Sequence, residues 1–178
     1  MKSALNRSLA VLALPLLLPL IAQAQLTIDI IGVGAQQIPV AVATFAGQDP
    51  NAQQMSAVIE ADLARSGRIK TVNGASLPRS GEFAAIPFGD LKARSADAVV
   101  IGTVQPAANG QFNVSFRLAD VPKQSQLTGL VFTVGPRELR ATAHRIADIV
   151  YEQLTGEKGV FSTRLAYVSK SPGRFQLV

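Results

Sequence analysis

Three side chains near the C-terminal end of the chain have the spacing of a reactive strip. His144, Asp148 and Tyr151 stand at i, i+4 and i+7 of a helical pattern, so they share one side of that helix. A base oriented by a carboxylate is the beginning of a catalytic arrangement. No nucleophile motif accompanies this one. On a helical wheel the strip is turned roughly 100° or more from the helix's apolar stripe. The expected role is therefore structural, packing or hydrogen bonding against a neighbouring domain, and not catalytic. Asp62 is the other anomaly. It falls within the apolar stripe that runs from Met55 to Leu63, where a charge is costly unless paired or hydrogen-bonded. It is expected to be a structural carboxylate that accepts bonds from a loop backbone or an Arg; the alternative is an acid in a pocket. Glu60 and Asp62 cannot act as a pair, because residues two apart on a helix diverge.

Other chemistry lacks material. The chain has one His and no Cys, so disulfides and thiol chemistry are excluded and a metal site is not expected. Gly32-Val33-Gly34 lacks a third glycine and a following helix, and is not a dinucleotide loop. No cofactor and no enzymatic activity are expected.

The elements that must position these residues begin after an export signal. Lys2 and Arg7 precede an almost purely apolar run from Leu9 to Ile21, and Ala22-Gln23-Ala24 supplies small residues for cleavage. That run is shorter than the roughly 20 residues a membrane span needs. Residues 1–24 read as a cleaved signal peptide, with Gln25 opening a mature chain that does not insert into a membrane. The formal net charge of +5 includes Lys2 and Arg7, and the remaining basic residues are scattered without a run of four. Nucleic acid is not an expected partner, and a monomer is expected.

Gln25 to Ile31 alternates as a short strand, and residues 32–37 follow as a linker. Ile38 to Phe45 is nearly continuous in apolar residues, as a strand covered on both faces would be. Asp49-Pro50 signals a helix start, and the helix runs to about Ser66 and stops at Gly67, burying Met55, Val58, Ile59 and Leu63. Strands are predicted at 69–72 and 97–104, with a loop at 73–86 and a short helix at 88–95. Gln111 to Val121 alternates cleanly, and Asn109-Gly110 before it is the best hairpin signal in the chain. A strand at 127–134 and a long helix from Pro136 to Gly156 follow, with Leu139, Ala143, Ile146, Ala147, Val150 and Leu154 as its apolar stripe. The order predicts an α/β domain with a mixed sheet of about five strands and two main helices. Phe161–Ser169 and 175–178 read as two further strands without partners in that domain. A lone hairpin is marginal in water, so they are expected to open a second, β domain that the chain does not complete.

These segments resemble a known family. Ile59-Glu60-Ala61-Asp62-Leu63-Ala64-Arg65-Ser66-Gly67-Arg68-Ile69 is similar to the Ala-Asp-Leu-x-x-Ser-Gly-x-Phe stretch of the TolB family. Ala96-Asp97-Ala98-Val99-Val100-Ile101-Gly102 resembles its third-strand motif. Most specific is Ala143-His144-Arg145-Ile146-Ala147-Asp148-Ile149-Val150-Tyr151-Glu152-Gln153-Leu154-Thr155-Gly156, continuing into Gly159-Val160-Phe161-Ser162-Thr163-Arg164-Leu165-Ala166-Tyr167-Val168. The resemblance covers essentially all of 25–178. Phe88 departs from it, where the family often has Trp, and residues 25–34 are only loosely alike.

The resemblance implies a periplasmic protein with an α/β N-terminal domain and a C-terminal six-bladed β-propeller. It implies work in the Tol-Pal system, in outer-membrane integrity and in constriction at cell division. It divides the chain into a partner-binding strand and linker (25–34), the α/β domain (35–158) and the start of a truncated propeller (159–178). The propeller would bind Pal, and TolA would be engaged by Leu26, Thr27, Ile28, Asp29 and Ile30. A strand with free edge groups can add to a partner's sheet, or can pair within its own domain; both remain open. The strip of His144, Asp148 and Tyr151 would face the propeller. Another periplasmic assembly or cell-wall-synthesis regulatory adaptor of similar fold is the alternative.

Overall fold

A computed structural model of the chain describes residues 37–47, 50–163, 166, 168–171 and 174–177, all within one compact unit, Ile31–Val178. The strand expected at 25–31 and the helix-capping Asp49 lie outside the described residues. Strands β1 (Ile38–Val42), β2 (Ile69–Val72), β3 (Ala98–Pro106), β4 (Phe112–Asp120) and β5 (Ser125–Val134) form one sheet in the order β2-β1-β3-β4-β5. β1 is parallel to β2 and β3, whereas β3, β4 and β5 are successively antiparallel. Helices α1 (Pro50–Arg65), α2 (Phe88–Ala93) and α3 (Leu139–Thr155) complete the layers.

The apolar runs of β1 and β3 follow from cover on both faces. Val40, Val42, Ala98, Val100 and Val104 join the stripes of α1 and α3 in one buried cluster. Ala41, Ala43, Val99 and Ile101, pointing the other way, pack with Leu77 and Ile86 of the loop and Leu91 of α2. β4 alternates for the same geometric reason: Val114, Phe116 and Leu118 are buried beneath the long helices. On α3, Leu139, Ala143, Ile146, Ala147 and Val150 are buried and Leu154 is partly so.

The hairpin signal is realised in the loop Ala107–Gln111, where Asn109 and Gly110 both adopt positive φ (58° and 70°) and the Ala107 amide donates to the Gln111 carbonyl at 2.8 Å. Two other expectations change. Regular pairing in the first strand stops at Val42; Phe45 is nonetheless almost fully buried, and Ala46 makes one isolated bridge to Thr103. The strand expected at 161–169 is also displaced. Phe161 and Ser162 form a turn, and the two-stranded sheet is β6 (Val168–Ser171) paired with β7 (Arg174–Leu177). The amides of Phe161 and Ser162 are taken by the Asp148 side chain of α3 and not by a strand.

Gly102, in the middle of β3, is set by close approach. A Cβ there would lie 2.5 Å from the Phe45 ring and 2.6 Å from the Ser115 carbonyl oxygen. Gly102→Ala is expected to lower unfolding stability by about 2 kcal/mol or more, as overpacking of a tight core does, measured by urea denaturation; an unchanged midpoint would show that the Phe45 ring has room to move.

Candidate functional site

α1 and α3 lie side by side on one face of the sheet and share one buried cluster. The chemistry-bearing residues sit along this seam and its continuation past α3. Asp62 is 4% exposed. Its Oδ2 lies 2.5 Å from Nδ1 of His144 on α3, and Arg65 Nη1, one turn along α1, donates to its Oδ1 at 3.1 Å. A buried carboxylate needs such partners. Of the two expected kinds of partner, an Arg is present, and among the described residues a loop backbone is not. The second partner, His144, is supplied by the other helix, 82 positions away, and no helical wheel can show it.

The pair has two of the parts of a catalytic triad and lacks the third. His144 has no other hydrogen-bond partner among the described residues, and the nearby hydroxyl of Ser66 donates to the Leu63 carbonyl of its own helix. The pair links α1 to α3.

Asp148 and Tyr151, on the same side of α3 as His144, do something different. Asp148 Oδ1 accepts from the Phe161 amide at 2.6 Å, and Oδ2 accepts from the Ser162 amide at 3.0 Å. The chain between reaches α3 at Gly159, where an added Cβ would lie 2.5 Å from the Asp148 Cα and Oδ1; only a residue without a side chain fits there. Tyr151 donates to Glu157 Oε2 at 3.1 Å, and its ring meets that of Phe161 edge-on, centroids 5.7 Å apart. Burial first, and then the hydrogen bond and charge of Glu157, push the phenol above its ordinary value of 10. It remains a neutral donor near neutral pH. Glu157 also pairs with Arg68 at 3.8 Å, across to the turn after α1.

His144, Asp148 and Tyr151 are therefore not one constellation. His144 joins the helices, while Asp148 and Tyr151 fasten the segment that leaves α3. Both His144 and Tyr151 are partly exposed. Sequence reasoning did not find Gly159, Glu157 or Phe161 as parts of this fastening; the run Gly156-Glu157-Lys158-Gly159 was the available sign of a sharp return to the helix. Leu26 to Ile30 lie outside the described residues. Among the described residues, no group of three His, Cys, Asp or Glu could hold a metal ion, and no helix is long and apolar enough to cross a membrane.

A mixed sheet with two long helices on one face and a short helix with a loop on the other defines the class, an α/β domain. The family can then be given. The TolB amino-terminal domain family matches residues 26–127, and the chain belongs to it. It is 48% identical over 157 residues to the Tol-Pal system protein TolB of Nitrosospira multiformis, covering 88% of this chain and 36% of that protein. It is 47% identical over 156 residues to the Tol-Pal system protein TolB of Nitrosomonas europaea, covering 88% and 36%. The crystal structure of TolB from Acinetobacter baumannii superposes with a TM-score of 0.67 and 32% identity, over 80% of this chain and 35% of that one. The chain thus spans about a third of the length of these relatives.

Asp62→Ala is expected to cost about 2–4 kcal/mol, since it leaves a half-buried imidazole without its carboxylate. In a double-mutant cycle with His144→Ala the two losses should fall short of additivity by more than about 0.5 kcal/mol; strict additivity would mean that the helices are not joined by this pair. Asp148→Ala should act locally. Hydrogen exchange is expected to accelerate at the Phe161 and Ser162 amides while the sheet keeps its protection. Unchanged exchange at those two amides would count against the assignment.

Proposed function

We propose that the chain serves as a non-catalytic protein-interaction module of the Tol-Pal envelope system. In this reading residues 1–24 direct export to the periplasm and are removed. Leu26, Thr27, Ile28, Asp29 and Ile30 engage TolA by adding a strand to its sheet, the mode in which main-chain hydrogen bonds supply affinity and alternate side chains supply selectivity. A six-bladed propeller following the α/β domain binds Pal, and residues 159–178 are its beginning. The assembled protein supports outer-membrane integrity and constriction during division. The chain acts as a monomer without a cofactor.

The observation that carries this reading is the family match over residues 26–127, which includes the proposed TolA-binding segment and strands β1 to β4. The chemistry of the seam supports it: the buried Asp62 carboxylate and the half-buried imidazole satisfy each other, and the Asp148 carboxylate is spent on backbone amides. Groups so engaged hold a scaffold in shape. Asp148, Gly159 and the Tyr151–Phe161 contact would fix the direction in which the chain leaves the domain, and so the placing of the propeller.

The test is a titration of purified TolA C-terminal domain into residues 25–178, followed calorimetrically, and then into the same chain lacking 25–34. Binding that is abolished by the deletion is the expected outcome. Equal binding with and without the segment would remove TolA engagement from Leu26–Ile30, and no binding in either case would remove it from this chain.

A further inference from the structure

The cleft where the two long helices begin is used by none of the contacts described so far. Between the first turns of α1 and α3 the surface opens into a cleft of about 170 Å³. Its floor is apolar: Met55 and Leu139 are 2% and 4% exposed and belong to the main core, with the partly buried Val58 beside them. Its rim is basic and polar, carrying Arg137, Arg140 and Gln54, all exposed.

Size and charge restrict the occupant. An apolar cavity of about 150 Å³ holds a benzene molecule, so this cleft has room for one aromatic or leucine-sized group and not for a nucleotide. Neither Arg137 nor Arg140 makes an ion pair with another described residue. Among the described residues no carboxylate lines the cleft. The neighbouring Glu138 is committed elsewhere, its Oε2 accepting from the Gly135 amide at 2.8 Å. Arg65 is paired with Asp62 and Arg68 with Glu157, while Arg145, further along α3, lies over the Phe132 ring at 5.2 Å. Two guanidinium groups without an ion pair to another described residue, over an apolar floor, select a ligand that is apolar at one end and anionic at the other. The planar fork of Arg favours a carboxylate, which it can hold by paired, charge-assisted hydrogen bonds. An inorganic anion would leave the floor unused, and a purely apolar group would leave the arginines unanswered.

We propose that this cleft binds a peptide segment of a partner protein in which a large apolar side chain stands beside a carboxylate. The apolar group packs on Met55, Val58 and Leu139, and the carboxylate accepts from Arg137 and Arg140. The proposal rests on the reading of the domain as an interaction module and adds a second contact to it, separate from the segment Leu26–Ile30.

The experiment uses two pairs of probes on the full chain, followed by methyl NMR at Met55, Val58 and Leu139. The first pair is phenylpropionate against its uncharged amide. The second is a short blocked peptide containing adjacent Phe and Glu against the same peptide with Gln in place of Glu. The acids are expected to shift all three methyl signals and to bind about tenfold more tightly than the neutral partners, the factor one charge-assisted pair supplies. The double variant Arg137→Gln/Arg140→Gln should erase the preference for the acids. Its thermal midpoint should stay near that of the parent chain, because both side chains are exposed. Val58→Phe, which fills the floor, should weaken acid and neutral probes alike. Equal binding of acid and neutral probes, no binding of either, or an acid preference that survives the double variant would each overturn the proposal. The TolA titration above separates the two readings. A chain that binds TolA but not the acids keeps its role as a module and loses this site, whereas one that binds the acids but not TolA does the reverse.

Discussion

A carboxylate buried between two helices ties them in one register. Asp62 sits among the apolar side chains of α1, and its charge is tolerable there because His144 of α3 and Arg65 of its own helix both reach it. Sliding α3 by one turn along α1 would strand the carboxylate at a cost of several kcal/mol, whereas the apolar contacts around it would repack with less loss. The hydrogen-bonded pair thus contributes specificity to a seam whose stability comes from the apolar stripes of the two helices. Much else is placed by this register. The cleft with Arg137 and Arg140 opens between the N-terminal ends of the same two helices. The register also sets the angle at which the end of α3 delivers Asp148, Tyr151 and the turn at Phe161.

The two faces of the sheet carry different burdens. One is covered by long, rigid helices and holds the larger cluster. The other is covered only in part, by α2 and the loop before it, through Leu77, Ile86 and Leu91. The polar groups of the candidate site, Asp62, His144, Asp148 and Tyr151, all belong to the first face. This is a physical convenience: a pair of helices joined by a buried carboxylate–imidazole hydrogen bond presents side chains at fixed spacing, which a loop-covered face cannot do.

In such a scaffold polar groups are placed to hold shape. The Asp62–His144 pair is satisfied, Asp148 is spent on two amides, and the Tyr151 phenol is kept neutral by burial and by Glu157. Arg137 and Arg140 differ in standing over apolar ground at the rim of a cleft, with no ion pair to another described residue. The proposed module therefore has two candidate means of recognition that rest on different physics. An extended segment near its N-terminus offers backbone hydrogen bonds, and a cleft on the helical face offers charge with apolar contact.

Amino-acid order alone determined the layers. The both-faces-covered runs of β1 and β3, the alternation of β4, the Asn109-Gly110 hairpin and the stripes of α1 and α3 are all local patterns, set by the repeat of strand and helix, and they were legible before any coordinates. So was the anomaly of a charge at position 62, because a carboxylate on an apolar stripe needs an explanation wherever the fold puts it. What answers that charge was decided only in three dimensions. His144 lies 82 residues from Asp62, and the helical wheel grouped it with Asp148 and Tyr151 because a wheel shows one helix at a time. The turn at Phe161–Ser162 was read as strand for the same reason, since the carboxylate that takes its amides belongs to a different element. Partners distant along the chain are chosen by how helices pack, and packing depends on all the stripes together. That is why the elements could be read from the sequence, and the ties between them could not.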